Sequence, residues 1–187
     1  RDSYTDVFMT HLHFVHCGGS IQWNKDHTGY EPAFKNAIFW TDENHWKWAT
    51  ESNLREKASF LKENLLPMQE SAQLKFVENS ELGFDILFVD GHTEKQMIPH
   101  INYKGKTLVF TADLVPTVGH IPVPYFTGYD TRPLLTLKEK DLFMNAAAEK
   151  DFYLFFEHDA HNEICTLQAT EKGVRLKETF RFDELFD

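Results

Sequence analysis

The chain has 187 residues, of which 42% are apolar and 14% aromatic, with 17 Phe among them. This composition excludes a disordered chain and suits a single packed, sheet-rich domain spanning residues 1–187. A formal charge of −10, from 19 basic and 29 acidic side chains, repels phosphate backbones and argues against a nucleic-acid partner.

Taken in order, Thr5–His11 is short, apolar and β-prone, and reads as a buried strand ending on a histidine. "CGGSIQWN" then predicts a glycine-permitted turn into a new element. Residues 24–41 are rich in turn formers and aromatics, and read as a loop with short extended pieces. Asn53 with Glu56 three residues later is a capping-box pattern, and Leu54, Ala58, Leu61 and Leu65 follow with helical spacing. This predicts a helix ending near Pro67. Gln73–Glu78 and Phe84–Asp90 read as strands, the second apolar enough to be covered on both faces. Lys106–Asp113 is a further strand, introduced by a Lys104–Gly105 turn. A proline-rich loop runs from Pro116 to Pro133. Thr136 and Glu139 form a second capping-box pattern, predicting a helix to about Lys150. Three strands follow, over 152–158, 163–169 and 174–180.

The informative polar residues fall at the ends of these strands. "HLHFVHCGG" places His11, His13 and His16 after the first, and "DGHT" places His92 after the 84–90 strand. "TAD" ends on Asp113 and "FFEHD" carries His158. In layered αβ architectures, loops at strand ends bring side chains from distant segments to one sheet edge. Five His and one Asp gathered there make a nitrogen- and oxygen-rich set suited to zinc or a similar divalent metal. His11 and His13, two apart on an extended segment, point the same way and can reach one ion.

The order H-x-H-x-x-H, then His, Asp and His, resembles the metallo-β-lactamase-fold hydrolases, whose hallmark is H-x-H-x-D-H. The similarity is strongest to the branch of lactonase-like and organophosphate-hydrolase-like enzymes. It implies an α/β (α+β) fold, an αβ/βα four-layer sandwich with a binuclear metal site at one edge of its sheets. It implies His11, His13 and His92 as ligands of a first zinc ion and His16 and His158 as ligands of a second, with Asp113 bridging both. The implied activity is hydrolysis of an ester, lactone or similar bond in a small-molecule substrate by a metal-bound hydroxide. A divalent ion lowers the pKa of bound water to about 7, making hydroxide available at neutral pH.

Two features depart from the family pattern. Val15 occupies the hallmark aspartate position and has no lone pair to offer. The first site is expected to survive, and the second to bind more weakly or stay empty. The resulting alternatives are a single-metal enzyme of altered activity or a non-catalytic metal-binding protein. In addition, only ten residues precede His11, where the family places a run of strands. The N-terminal strands are therefore expected to be missing, leaving edges suited to a second copy or to that segment.

Of the remaining residues, His120 in "VGHIPVPY" is a candidate for the substrate pocket or for a supporting hydrogen bond, and equally for a surface loop. His161 rivals His158 less directly, since it lies beyond the strand end. Trp23, Phe34, Phe39, Trp40, Trp46 and Trp48 read as core, or as an apolar substrate wall. Cys17 and Cys165 form no C-x-x-C pair and suggest neither a disulfide framework nor a nucleophile. No apolar run reaches membrane length, so no membrane partner is expected, and the location stays open with a cytoplasmic one favoured, since the sequence begins on Arg1 and its natural N-terminus is expected to be absent.

Overall fold

Alternating β-prone runs and amphipathic stretches give a mixed α/β structure with several sheets. The computed structural model describes residues 1–79 and 82–186. It divides into two units, Arg1–Leu82 and Gly83–Asp187, each with its own apolar core. Among the described residues no helix is long and apolar enough to cross a membrane.

The first unit contains β1 (Asp6–Phe8), α1 (Phe14–Cys17), β2 (Ile21–Trp23), β3 (Tyr30–Pro32), β4 (Ile38–Thr41), α2 (Glu43–Thr50), α3 (Lys62–Glu70) and β5 (Leu74–Phe76). Strands β1, β4 and β5 form a parallel sheet in the order β1-β4-β5, with Phe8 opposite Trp40 and Thr41 opposite Phe76. A separate hairpin pairs β2 with β3, where Trp23 stacks on Tyr30 with ring centroids 4.2 Å apart. Leu12, Phe39, Trp46, Leu65 and Met68 fill the core. The aromatic run therefore splits, with Phe39, Trp40 and Trp46 buried while Trp23 is exposed.

The helix predicted from Asn53 starts late. Asn53 Oδ1 accepts the backbone N–H groups of Arg55 and Glu56, as a cap does, but residues 54–59 stay in turns. Leu54 is 95% exposed and supplies no apolar face. One turn closes, with Lys57 N–H on the Asn53 carbonyl at 2.9 Å, but the Ser59 carbonyl is taken by Phe14 N–H and the Glu56 side chain turns inward, so the helix does not continue from there. Pro67 lies inside α3, which runs on to Glu70. Ahead of that region, Asp42 caps α2 by accepting from His45 N–H at 2.8 Å. Burial pushes the Asp42 carboxyl up to about 6, and neighbouring Glu78 reinforces the shift.

The second unit contains β6 (Asp85–Val89), β7 (Gln96–Tyr103), β8 (Lys106–Phe110), α4 (Pro133–Glu149), β9 (Tyr153–Phe155), β10 (Ile164–Thr170), β11 (Gly173–Phe180) and α5 (Phe182–Phe186). Its strands form one sheet in the order β11-β10-β9-β8-β7-β6. Every neighbouring pair is antiparallel except β8 with β9, which run parallel through the α4 crossover. Lys104 (φ 45°) and Gly105 (φ 78°) make the tight turn between β7 and β8, as two-residue hairpins require. The buried stripe Thr136, Lys140, Phe143, Met144 and Ala147 follows helical spacing and turns α4 onto the sheet. It meets Ile98, Val109 and Leu154 there.

Two expectations are corrected here. The 84–90 strand is not covered on both faces: β6 is an edge strand, and Leu87 and Phe88 are exposed while Val89 packs into the core. The Thr136–Glu139 pair caps nothing, because α4 starts at Pro133 with proline's fixed φ suited to a first turn. Instead, the Glu139 carboxylate accepts Asp90 N–H at 2.8 Å and Gly91 N–H at 2.9 Å, pinning the DGHT loop to α4.

Candidate metal centre

In the second unit, strand direction gathers the donors. Strands β6, β8 and β9 all run the same way, since β6 and β8 are each antiparallel to β7 and β9 is parallel to β8. Their C-terminal ends share one sheet edge, and His92, Asp113 and His158 lie just past them. Ala112, at φ 43°, turns the chain so that Asp113 faces that edge. The Asp113 carboxylate stands between two imidazoles. Its Oδ2 lies 3.0 Å from His92 Nε2 and its Oδ1 3.1 Å from His158 Nε2. The far side of His92 is also held by a carboxylate, with Nδ1 2.9 Å from Asp130 Oδ1.

This arrangement sets the charge of His92. Burial opposes its protonation, but the hydrogen bonds and charges of Asp113 and Asp130 outweigh that and raise its pKa to about 9. Asp130 is itself fixed by Thr127, whose Oγ1 donates to Oδ1 at 2.7 Å. Two carboxylates around one buried imidazole form a site that stabilises positive charge. The donors facing one another are the nitrogens and oxygens that borderline divalent ions prefer, so the residues present fit a metal such as zinc.

In the first unit, His11 and His13 follow β1 and are buried; their ring centroids are 4.8 Å apart at 83°. His16 sits on α1, with its ring centroid 4.0 Å from that of His11. Three imidazoles are therefore packed together within this unit. Their backbone is held from below: His45 Nε2 accepts Leu12 N–H at 2.8 Å, and the His13 carbonyl accepts the N–H groups of His16 and Cys17. Thr10 Oγ1 lies 3.2 Å from His11 Nδ1, and Glu56 Oε1 lies 3.1 Å from His13 Nε2. Val15, on α1 beside them, is 62% exposed.

His120 is half-buried, with Nδ1 2.8 Å from Thr117 Oγ1. Burial and the Lys140 charge lower its pKa, while Asp130 and Asp113 pull it up, so it lies within electrostatic reach of both. His161 falls elsewhere, in a recess with Asn162, Thr179 and Arg181. Both cysteines carry free thiols, and burial pushes each up to about 12, which leaves them inert as nucleophiles.

Sequence reasoning missed Asp130 and His45, and read Glu56 as part of a capping box. Asp130 sits in "GYDTRP", where a turn-forming Asp gives no local sign that it is buried against His92. It also missed Lys140, fully buried in α4, whose Nζ donates to the carbonyls of Pro122, Val123 and Tyr125. That clamp fixes the loop preceding Asp130.

The structure is similar to several solved hydrolases. A probable metal-dependent hydrolase from Staphylococcus aureus superposes with a TM-score of 0.78 over 95% of this chain and 64% of its own, at 24% identity. AidC, a dizinc quorum-quenching lactonase in complex with a product, gives 0.78 over 95% of this chain and 65% of its own, at 19% identity. AbOPH, a hydrolase in the beta-lactamase superfamily, gives 0.78 over 97% of this chain and 66% of its own, at 17% identity. The chain thus has the metallo-β-lactamase fold, and it spans slightly less than two thirds of the length of each of these proteins. No family model and no curated protein sequence matches it.

Proposed function

We propose that the chain belongs to a metal-dependent hydrolase acting on an ester, lactone or similar bond, and that residues 1–187 belong to one domain. The residues that would hold a first zinc ion are then His11, His13 and His92, those that would hold a second are His16 and His158, and Asp113 would be shared between the two. The single observation that carries the proposal is the Asp113 carboxylate lying 3.0 and 3.1 Å from the Nε2 atoms of His92 and His158. The ordered histidine motif and the fold shared with metal-dependent hydrolases support it.

When bound, a divalent ion supplies Lewis acidity toward a carbonyl oxygen and makes water a usable nucleophile near neutral pH. The protein's own groups have separate tasks. Asp130 accepts the Nδ1–H of His92 at 2.9 Å, which orients the ring and turns Nε2 toward the site. Asp113 turns one carboxylate oxygen toward His92 Nε2 and the other toward His158 Nε2, which places it to share its charge between the two. His120, whose Nδ1 is engaged by Thr117 Oγ1, keeps its other ring nitrogen as a candidate contact for substrate. The test is hydrolysis of an aryl ester and of an N-acyl homoserine lactone by zinc-supplemented protein. Turnover lost on chelation and in Asp113→Asn supports the proposal. Turnover indifferent to both overturns it.

Val15 favours a second reading, a non-catalytic or single-metal member of the fold, because no donor occupies that position. In that case the wild type retains metal without hydrolysis, and Val15→Asp gains turnover.

A further inference from the structure

Glu56 is a buried carboxylate that the proposed chemistry does not use, and its placement points to a specific task. It is 3% exposed, on a segment that forms turns where the sequence predicts helix. Its Oε2 accepts from two fixed donors, Trp48 Nε1 and Asn53 Nδ2, each at 2.7 Å. This anchors the carboxylate and directs Oε1 at His13 Nε2, 3.1 Å away. Phe60 packs against the same imidazole, with ring centroids 4.8 Å apart. A carboxylate can only accept, so His13 carries a proton on Nε2, and in the neutral ring the lone pair is then on Nδ1.

We infer that Glu56 is a positioning residue that fixes the tautomer of His13, making Nδ1 the nitrogen it offers to a divalent cation. The inference rests on the metal-centre reading for the cation, but the tautomer stands on the Glu56 contact alone. Neighbouring His11 is held the opposite way round, with Nδ1 beside Thr10 Oγ1. Two imidazoles only two residues apart thus present different nitrogens, which suits their 83° interplanar angle. Partners of this kind are worth about 10–100-fold in metal affinity where they have been removed from other sites.

Glu56→Gln is the informative variant. Trp48 and Asn53 both donate, so they retain the amide oxygen, and the amide NH2 then faces His13. That donor favours the reversed tautomer, with the proton on Nδ1. Long-range proton–nitrogen NMR on ion-free, histidine-labelled protein at pH 8 reads the ring directly, and chelator competition reads zinc affinity. The wild type is expected to carry the His13 proton on Nε2. Glu56→Gln is expected to move it to Nδ1 and to weaken zinc binding about 10–100-fold. Leu54→Ala, at a side chain 95% exposed on the same segment, keeps the wild-type ring signature. An Nδ1–H tautomer in the wild type overturns the inference even if Glu56→Gln does not fold. So does a variant that changes neither tautomer nor affinity. If the wild type binds no zinc, the metal-centre reading falls, whereas an Nε2–H signature that reverses in Glu56→Gln still upholds the role of Glu56.

Discussion

Gly91 precedes His92 in the DGHT loop, and replacing it with alanine tests how that loop is held. A Cβ built there would lie 2.4 Å from Thr136 Oγ1 and 2.5 Å from both Cα and N of Thr136. The glycine is required by the close approach of α4. Two of the three atoms are backbone and cannot rotate away. Restoring ordinary contact demands a displacement of about 1 Å at the start of α4. Overpacking of this kind costs about 1–3 kcal/mol. The same movement draws Glu139 from the N–H groups of Asp90 and Gly91, and hydrogen bonds to charged groups are worth about 1.5–3 kcal/mol each. Partial loss brings the expected cost to about 2–4 kcal/mol, a fall in Tm of roughly 4–16 °C for a chain of this size. Thermal unfolding followed by circular dichroism measures it. A Tm within about 1 °C of wild type refutes the reasoning. Recovery in a Gly91→Ala/Thr136→Ala double variant also refutes it, because the hydroxyl rather than the backbone would then set the limit.

Asp42→Ala removes the cap of α2 and is expected to cost about 1 kcal/mol in denaturant unfolding, while Asp42→Asn, which still caps, costs little. Lys140 gives a pH dependence of definite sign. Burial lowers its pKa from 10.5 to about 8, against an upward pull from Asp130. Between pH 8 and 10.5 the unfolded chain binds more protons than the folded one, so this group makes stability rise with pH across that window. The limiting slope is about 1.4 kcal/mol per pH unit, and Lys140→Met should abolish that contribution in unfolding titrations. Val15→Asp places a carboxylate beside the three clustered histidines. Isothermal titration should show tighter or additional zinc binding, and unchanged stoichiometry and affinity would count against His16 as part of a metal site.

How far the sequence was legible follows from where each signal is local. Short apolar runs ending in His or Asp marked β6, β8 and β9 together with the residues just past them. Because those strands run in one direction, His92, Asp113 and His158 converge as their strand-end positions suggested. β7 escaped because Pro99, which demotes a strand reading, sits opposite Ile86 in mid-ladder. The two capping-box patterns misled for a shared reason. Glu56 and Glu139 have the right local spacing, yet each carboxylate binds a group distant in sequence, His13 in one case and the Asp90–Gly91 backbone in the other. Asp130 carries no motif signal, and Lys140 falls on the buried face of α4 by spacing while its charge reads as solvent-facing. Their roles come from a loop whose carbonyls and carboxylate meet buried partners only after folding.

The central claim is that these histidines and Asp113 hold a divalent ion, and metal stoichiometry tests it most directly. Protein equilibrated with zinc and freed of excess should retain at least one ion per chain by elemental analysis. The His11→Ala/His92→Ala variant should lose it while remaining folded. Wild-type protein that retains no zinc, or a variant that retains as much as wild type, would contradict the account.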